Sequence, residues 1–290
     1  MKGIITLLRP QQWVKNLFVF LPLFFNGGIA NIGDLTTLVA AFFSFSFIAS
    51  SIYCLNDIKD AEADRLHPKK CKRPIASGAV SIPQAIATML GCIAISIVAL
   101  LPLQNFINTM AIVAIYFLLN IAYCLKLKRI AIVDVFVIAS GFVLRLAAGG
   151  VAVGIELSHW IVMMTFLLAL FLAFAKRRDD VLIYEEKGIR MRESIANYNS
   201  TFLNQVITLL SAVTIVCYIM YTVSDDVISR INSPYLYATS AFVVLGIIRY
   251  LQLSIVEKNS GSPTKILLKD KIIISCVALW TLSFILILYF

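Results

Sequence analysis

The sequence predicts an all-α, polytopic membrane protein. Of its 290 residues, 60% are hydrophobic and only 14% are charged, whereas a soluble domain carries about 25% charged residues. Many apolar runs approach twenty residues, the length that a helix needs to cross about 30 Å of hydrocarbon. Lysine and arginine are concentrated in alternate loops. These three observations predict a single helical transmembrane domain over residues 1–290.

Hydropathy and run length predict nine transmembrane helices. The predicted spans cover residues 13–30, 35–56, 82–103, 106–125, 130–153, 160–175, 202–223, 234–256 and 272–290. The first run is interrupted by Pro22, Asn26, Gly27 and Gly28, so its helical signal is the weakest of the nine. No small-residue cleavage site follows this run, and we therefore expect no signal peptide.

The charge pattern predicts how these spans are oriented. Of the 25 Lys and Arg residues, all but Arg145, Arg230 and Arg249 fall at the N-terminus or in loops that a nine-span topology assigns to one side. Loops rich in Lys and Arg stay in the cytoplasm. We therefore expect a multi-pass protein of the inner (cytoplasmic) membrane with its N-terminus in the cytoplasm and its C-terminus outside. The net charge of +9 then reflects topology, and we expect a lipid bilayer rather than nucleic acid as partner.

An acidic cluster follows the second predicted span, in "NDIKDAEADRLHPKKCKRPIASG". On a helix, Asp57, Asp60 and Asp64 would lie on one face, with Asn56 one turn before Asp60. Carboxylates on one stripe repel each other unless a cation binds between them. Oxygen ligands without His or Cys indicate Mg²⁺ or another hard cation. The pattern therefore predicts a metal site formed by Asn56, Asp57, Asp60 and Asp64, the three aspartates being the catalytic candidates.

Basic residues follow this stripe directly. Mg²⁺ bound in proteins commonly completes its shell with substrate phosphates. Lys72 and Arg73 are suited to hold phosphate oxygens, Arg by a bidentate fork. The alternative is a solvated cytoplasmic loop with ordinary topology charges, which we favour for Lys69 and Lys70.

A second charged cluster follows the sixth predicted span, also on the cytoplasmic side. It consists of Lys176, Arg177, Arg178, Asp179 and Asp180. The two clusters together predict a polar pocket at the cytoplasmic face. The alternative for the second cluster, together with the following "EEKGIR", is a solvated surface helix.

Two ionisable residues lie inside the fifth predicted span. Each would cost about 2.5–3.5 kcal/mol at a helix centre, so both are functional candidates. Asp134 lies near the cytoplasmic end and could pair with Lys126, Lys128 or Arg129 of the preceding loop. Arg145 lies deeper and needs another partner or a bound anion. A purely structural pairing remains open for both.

These motifs resemble the UbiA superfamily of intramembrane prenyltransferases. The N-D-x-x-D-x-x-x-D pattern followed by "KRPIASG" is similar to the first aspartate-rich motif of that superfamily. "LRPQQWVKNLFVFLPLFF", "YCLKLKRIAIVDVFVIASGFVLRLAAGG" and "FAKRRDD" resemble its decaprenyl-phosphate phosphoribosyltransferase branch. The resemblance extends over nearly the whole chain and implies a UbiA-like bundle.

The resemblance implies an enzyme that transfers 5-phosphoribose from phosphoribosyl pyrophosphate to a polyprenyl phosphate of decaprenyl type. The reaction would require Mg²⁺, release pyrophosphate and supply a cell-wall precursor. The resemblance assigns substrate contacts to Lys15, Asn16, Asn56, Lys72, Arg73, Lys126, Arg145, Lys176 and Arg177. Because the acceptor phosphate is already anionic at neutral pH, the reaction needs no dedicated general base.

Two other functions remain open. An aromatic prenyltransferase of the same superfamily would use a polyprenyl diphosphate, but those enzymes carry a second D-x-x-x-D motif. Here Ile183 and Tyr184 lie four residues after Asp179 and Asp180, so a second Mg²⁺ is in doubt. A transporter is the third possibility, although carrier sites usually lie near the bilayer midplane rather than at the rim.

Overall fold

The fold is all-α, as predicted. In the computed structural model the described residues are 2–28, 31–66, 70–188, 193–257, 266 and 269–289. Their α-helices, in chain order, are α1 Lys2–Leu8, α2 Leu21–Phe25, α3 Ile32–Lys59, α4 Ala61–Leu66, α5 Ile82–Leu100, α6 Phe106–Leu125, α7 Val133–Val153, α8 His159–Lys187, α9 Ser200–Val223, α10 Asp225–Ile231, α11 Ser240–Ile255 and α12 Lys271–Tyr289.

Eight segments of the described chain are long and apolar enough to cross a membrane. They correspond to the second to ninth predicted spans, and α6 coincides with its predicted range. A 3₁₀ turn, Pro234–Thr239, precedes α11 and completes the eighth span. The chain is therefore a multi-pass membrane protein.

The chain divides into two compact units. Unit 1 comprises Met1–Leu127 and Gly141–Leu157, and unit 2 comprises Lys128–Ser140 and Ser158–Phe290. Helix α7 contributes residues to both units. The prediction of a single domain over residues 1–290 stays a prediction.

The first predicted span, residues 13–30, is not a regular α-helix. Residues Pro10–Phe20 form an eleven-residue 3₁₀ helix, which leads into the short helix α2. In a 3₁₀ helix residues three apart lie above one another. Trp13, Asn16 and Val19 therefore share one face, and Asn16 and Val19 are fully buried within unit 1.

This 3₁₀ helix runs antiparallel to α3. The indole N–H of Trp13 donates to Ser50 Oγ (3.0 Å), and Asn16 Nδ2 donates to Ser46 Oγ (3.0 Å). At its end, the Phe20 ring packs on Phe42. At about 2.0 Å per residue, eleven 3₁₀ residues extend about 22 Å, the same length as fifteen α-helical residues. The segment thus follows α3 over most of a bilayer thickness, which supports nine spans; that count stays a prediction.

Helix α8 is longer than its predicted span. It begins after the N-cap Ser158, whose side chain accepts from Ile161 N–H, and ends at Gly188 in a left-handed conformation (φ 67°). The sequence ended this span at residue 175, because the charges that follow lowered the hydropathy. Their partners within unit 2 allow the helix to continue for three more turns.

Arg249, predicted inside the eighth span, lies in the second half of α11 and binds acidic residues around the α11–α12 connection. Its Nη2 atom lies 2.8 Å from Asp270 Oδ2, and its Nη1 atom lies 2.9 Å from Glu257 Oε1. The Arg249 guanidinium holds the pKa of the Asp270 carboxyl below its ordinary value. The contacts join the end of α11 to the start of α12.

Candidate active site

The acidic cluster of unit 1 is built around Asp57, in the last turn of α3. Asp57 is 1% exposed. Its Oδ1 atom lies 2.6 Å from Arg9 Nη2 and 3.2 Å from Arg73 Nη1. The same Nη1 atom of Arg73 lies 2.6 Å from Oδ2 of Asp64, which is 2% exposed. Two buried carboxylates therefore share one guanidinium, and Arg9 adds a second cation.

The predicted stripe is interrupted but keeps its helical winding. Helix α3 ends at Lys59 and α4 starts at Ala61, with Asp60 between them. Backbone hydrogen bonds from Asp60 N to Asn56 O (2.9 Å) and from Asp64 N to Asp60 O (2.8 Å) continue across the break. Asp57 and Asp64 consequently stay on the same side, whereas Asn56 and Asp60 are half-buried.

The donor chemistry of this cluster fits a hard divalent cation. Asp57 Oδ2 is buried and has no hydrogen-bond partner among the described residues. Such an atom suits a ligand that supplies positive charge. Within the described ranges, no three His, Cys, Asp or Glu side chains lie close enough to form a ligand set by themselves. One or two carboxylates with waters and substrate phosphates are nevertheless a usual Mg²⁺ environment.

The other predicted phosphate contacts of unit 1 differ in exposure. Lys72 is exposed, and Arg73 contacts the carboxylates. Lys15 lies half-buried in the 3₁₀ helix, whereas Lys126 is exposed at the end of α6. Of the predicted residues, the structure therefore joins Arg73 to Asp57 and Asp64, while Lys72 and Lys126 remain at the surface of unit 1.

Arg145 forms a separate buried site in unit 1. Its Nε atom donates to Asn16 Oδ1 (2.7 Å), Nη1 to the Gly141 carbonyl (2.7 Å) and Nη2 to the Tyr116 hydroxyl (2.8 Å). Its guanidinium carbon lies 4.7 Å from the centroid of the Tyr116 ring. No carboxylate of the described residues pairs with it. Among the described residues this buried cation contacts only neutral groups, so its positive charge would attract an anion.

The second cluster belongs to unit 2 and is deeply buried. Arg177 is 1% exposed, and its Nε atom lies 2.6 Å from Asp134 Oδ2. Ser194 and Tyr198 also donate to the Asp134 carboxylate, each at 3.3 Å. The partner of Asp134 is thus a residue of α8, whereas the sequence suggested Lys126, Lys128 or Arg129.

Burial also extends to the following charged residues. Arg178 donates to Asn204 and to the Ser254 carbonyl, and both Asp179 and Asp180 are buried. The interpretation of this cluster as a solvated surface helix is therefore wrong for residues 177–180. The surface-helix interpretation holds further along α8, where Glu185 and Glu186 are exposed. Lys176, at the start of the cluster, is half-buried.

Tyr198 acts as a neutral hydrogen-bonding group. Burial raises the pKa of its hydroxyl, and the hydrogen bond from the Ile132 N–H lowers it by a smaller amount. The resulting pKa is about 12. Tyr198 therefore keeps its proton across the physiological range. It accepts from Ile132 N–H and donates to Asp134.

Three residues of these candidate sites were missed from the sequence. Arg9 counted only as a topology charge, and Tyr116 and Tyr198 were not singled out. Arg9 precedes Pro10 at the start of an apolar run, which is an ordinary position for a membrane-flanking cation. Tyr116 and Tyr198 look like common aromatic residues of spans and interfaces. No local pattern distinguishes them, because their roles come from partners far away in the chain.

Comparison with known proteins identifies the family. The UbiA prenyltransferase family matches residues 18–289. The chain belongs to this family. The resemblance found in the sequence is thereby confirmed, as is the predicted UbiA-type fold.

Two UbiA relatives are similar over nearly their full lengths. The decaprenyl-phosphate phosphoribosyltransferase of Corynebacterium glutamicum is 32% identical over 289 residues, which is 99% of this chain and 87% of the relative. The enzyme of the same name from Mycolicibacterium smegmatis is 36% identical over 284 residues, 93% of this chain and 87% of the relative. Among solved structures, a UbiA homolog from Archaeoglobus fulgidus bound to GPP and Mg²⁺ matches with a TM-score of 0.72 at 19% identity, covering 99% of this chain and 100% of that one.

Proposed function

We propose that this protein transfers 5-phosphoribose from phosphoribosyl pyrophosphate to decaprenyl phosphate, with Mg²⁺ as cofactor and pyrophosphate as the released product. The observation that carries the proposal is the whole-length similarity to relatives named decaprenyl-phosphate phosphoribosyltransferase. The buried carboxylate–arginine cluster of unit 1 supplies the chemistry that such a reaction requires.

Asp57 and Asp64 would hold the metal, with Asp60 and Asn56 beside them. Asp57 Oδ2 is the oxygen without a hydrogen-bond partner among the described residues. A bound Mg²⁺ would neutralise the charge that develops on the departing pyrophosphate. Arg73 contacts both carboxylates and is suited to exchange them for phosphate oxygens, which match its planar fork.

The transfer itself requires little proton chemistry. A phosphate oxygen of the acceptor forms a bond to C1 of the ribose, and the C1–O bond to pyrophosphate breaks with its electron pair on the leaving oxygen. The acceptor oxygen is already anionic at neutral pH, so no base has to activate it. In keeping with this, His159 is exposed at the start of α8, and His67, the other histidine of the chain, lies outside the described residues.

Arg145 is the second candidate for a substrate anion. A buried guanidinium without an acidic partner costs free energy of folding, because its desolvation is only partly offset by neutral groups. Such a cost is retained most readily where the cation binds a ligand. We assign to Arg145, with Asn16 and Tyr116, a contact with a phosphate of one of the two substrates.

The aromatic prenyltransferase remains the alternative. Asp179 and Asp180 carry no acidic residue four positions later. In unit 2, Asp180 Oδ2 lies 3.6 Å from Arg177 Nη1. Binding of a second Mg²⁺ by either aspartate is not part of the proposal.

The test uses purified protein in proteoliposomes with phosphoribosyl pyrophosphate labelled in the ribose, decaprenyl phosphate and Mg²⁺. We expect the label to become lipid-soluble when Mg²⁺ is present. No lipid-soluble label should form when EDTA is present from the start. Label that stays in water would count against the proposal. Prenylation of an aromatic acid instead would establish the alternative, and flux without a covalent product would indicate a transporter.

Matched carboxylate variants test the assigned site. Asp57→Asn should lower the transfer rate at least about a hundredfold, because removing one electrostatic contact to a developing charge costs that much in other enzymes. Glu62→Gln is the control, because Glu62 lies on α4 between Asp60 and Asp64 but is exposed. Equal activity of the two variants would refute the metal assignment.

A further inference from the structure

Arg9 contacts the key carboxylate of unit 1 in a way that differs from Arg73. Its Nη2 atom lies 2.6 Å from Asp57 Oδ1. Its guanidinium carbon lies 5.0 Å from the centroid of the Tyr53 ring, one helical turn before Asp57 on α3. The side chain is thus fixed by two residues of the same helix face.

The backbone at Arg9 is held in an uncommon conformation. Its φ of 53° and ψ of 57° are left-handed, which few residues other than glycine, asparagine and aspartate adopt. Contacts on both sides fix it: Ser50 Oγ donates to the Leu8 carbonyl (2.9 Å), and Gln12 N–H donates to the Arg9 carbonyl (2.8 Å). A strained residue persists only where its surroundings determine it, and such residues cluster at functional sites.

A cation bound at these carboxylates would affect the ion pairs of Arg9 and Arg73 differently. Arg73 contacts Asp57 through the same Oδ1 atom but is closer to Asp64 Oδ2, so a cation bound by Asp64 would compete with Arg73 at that carboxylate. The ion pair of Arg9 uses Oδ1 of Asp57, while Oδ2 has no hydrogen-bond partner among the described residues. The Arg9 contact is therefore compatible with a cation on Oδ2.

We infer that Arg9 is a positioning residue, which holds Asp57 through Oδ1 so that Oδ2 is available to a divalent cation with its diphosphate. The inference rests on the proposed function, since it deepens the role of the same site. It assigns a function to an arginine that the charge pattern explained as a topology signal. Arg9 acts through Asp57 and need not touch the reacting atoms.

Two variants separate the guanidinium from the backbone. Arg9→Asn removes the charge and keeps a residue that tolerates left-handed backbone. Arg9→Lys keeps the charge but loses the planar fork. Arg65→Asn is the matched control, because it removes the same charge from an exposed arginine on α4, next to Asp64.

The measurement is binding of Mn²⁺, as a spectroscopic substitute for Mg²⁺, to the purified full-length protein in the presence of pyrophosphate. Free Mn²⁺ is followed by electron paramagnetic resonance. Loss of groups that orient metal ligands typically weakens metal binding about 10- to 100-fold. We expect that loss for Arg9→Asn, a smaller loss for Arg9→Lys and wild-type binding for Arg65→Asn. The Mg²⁺ concentration needed for half-maximal transfer should shift in the same order.

Several results would overturn the inference. One is unchanged or tighter Mn²⁺ binding by folded Arg9→Asn, which would limit Arg9 to a structural role; another is absence of Mn²⁺ binding by the wild type. If Arg9→Asn does not fold, Arg9→Lys decides by the same criterion. Wild-type protein that binds Mn²⁺ and pyrophosphate without forming the phosphoribosyl lipid would refute the proposed function and leave the role of Arg9 intact.

Discussion

Arg145 carries a positive charge in the interior of unit 1 and satisfies it with neutral groups. Three donor atoms of its guanidinium reach Asn16, the Gly141 carbonyl and Tyr116. A lysine ammonium is a compact point charge and cannot serve three acceptors in this fan-shaped arrangement. The fork, and not the charge alone, is therefore what this position requires.

Arg145→Lys should accordingly lower the transfer rate. One charged hydrogen bond contributes about 1.5–3 kcal/mol, which corresponds to a loss of roughly ten- to a hundredfold. Initial rates at saturating and limiting concentrations of each substrate measure this loss of transfer rate. They also show which substrate the site binds. Wild-type rates would reduce Arg145 to a structural residue.

The hydroxyl of Tyr198 predicts a specific pH dependence in unit 2. A tyrosine titrates near pH 10 in the unfolded chain, and burial raises the pKa of Tyr198 to about 12 in the folded one. Its stabilising contribution is therefore complete below about pH 10 and is lost as the pH rises through about 12.

The variant Tyr198→Phe tests whether the contribution of Tyr198 to stability is lost as the pH rises. The difference in unfolding free energy between wild type and variant should stay constant from about pH 7 to 9 and shrink above about pH 10. Thermal unfolding in detergent at several pH values measures it. A difference that grows with pH would contradict the assignment of a neutral donor to Asp134.

The candidate site was predictable where its residues are close in the chain. Asp57 and Asp64 followed from helical spacing, and that spacing survives the break at Asp60 because the backbone winding continues. The contact between Arg9 and Asp57 joins residues 48 positions apart. No local pattern encodes such a pair, since it depends on how the 3₁₀ helix packs along α3.

At the scale of elements, the 3₁₀ helix is fixed against α7 by a glycine. A Cβ on Gly149 would overlap the Val19 carbonyl and lie 2.8 Å from its carbon atom. Nearby, the rings of Phe18 and Phe142 pack edge to face with centroids 4.9 Å apart. Sequence patterns indicated a span here, but they could not indicate 3₁₀ geometry, because that follows from close contact with α3 and α7.

Gly149→Ala should therefore destabilise the protein. Overpacking commonly costs about 1–3 kcal/mol, and the atoms in the way are backbone. Gly91→Ala on α5 is the control, because a Cβ there meets no atom within 4 Å; it should be neutral or stabilising by up to about 1 kcal/mol. Thermal unfolding in detergent compares the two, and equal melting temperatures would show that the close approach is not rigid.

In unit 2, a buried ion pair connects the start of α7 to α8. Removing one partner of such a pair leaves an uncompensated charge and costs about 3–5 kcal/mol, whereas replacing both by apolar residues is often nearly neutral. We expect Asp134→Leu and Arg177→Met to be strongly destabilising alone and less so together. Thermal unfolding of the wild type, the two single variants and the double variant gives the coupling free energy between the two residues. Strictly additive losses of stability would mean that the two charges do not stabilise each other.

The elements themselves were predicted with different success for physical reasons. Apolar runs determined α6 to the residue, because the polar Asn105 precedes it and the basic Lys126 follows it. Helix α8 extends twelve residues beyond its predicted end, since hydropathy counts Arg177 and Asp180 as exposed charges and cannot register that they neutralise each other. A hydropathy argument fails wherever charges are buried in pairs.

For the whole molecule, the crucial property is its orientation in the membrane. The charge bias assigns the loop around Ser77 to the cytoplasm and helix α10, with Asp226, to the outside. The course of the 3₁₀ helix along α3 supports the first crossing on which this assignment depends. In this predicted orientation the proposed site would take phosphoribosyl pyrophosphate, a membrane-impermeant anion, from the cytoplasm.

Cysteine labelling in intact cells tests this topology. In a background with the six native cysteines replaced by serine or alanine, Ser77→Cys and Asp226→Cys each add one thiol at an exposed position. A membrane-impermeant maleimide should label Asp226→Cys directly and Ser77→Cys only after permeabilisation. Because a charged reagent cannot cross the hydrocarbon core, the reverse pattern would invert the topology. Labelling of both positions on one side would mean an even number of crossings between them instead of the five that are predicted.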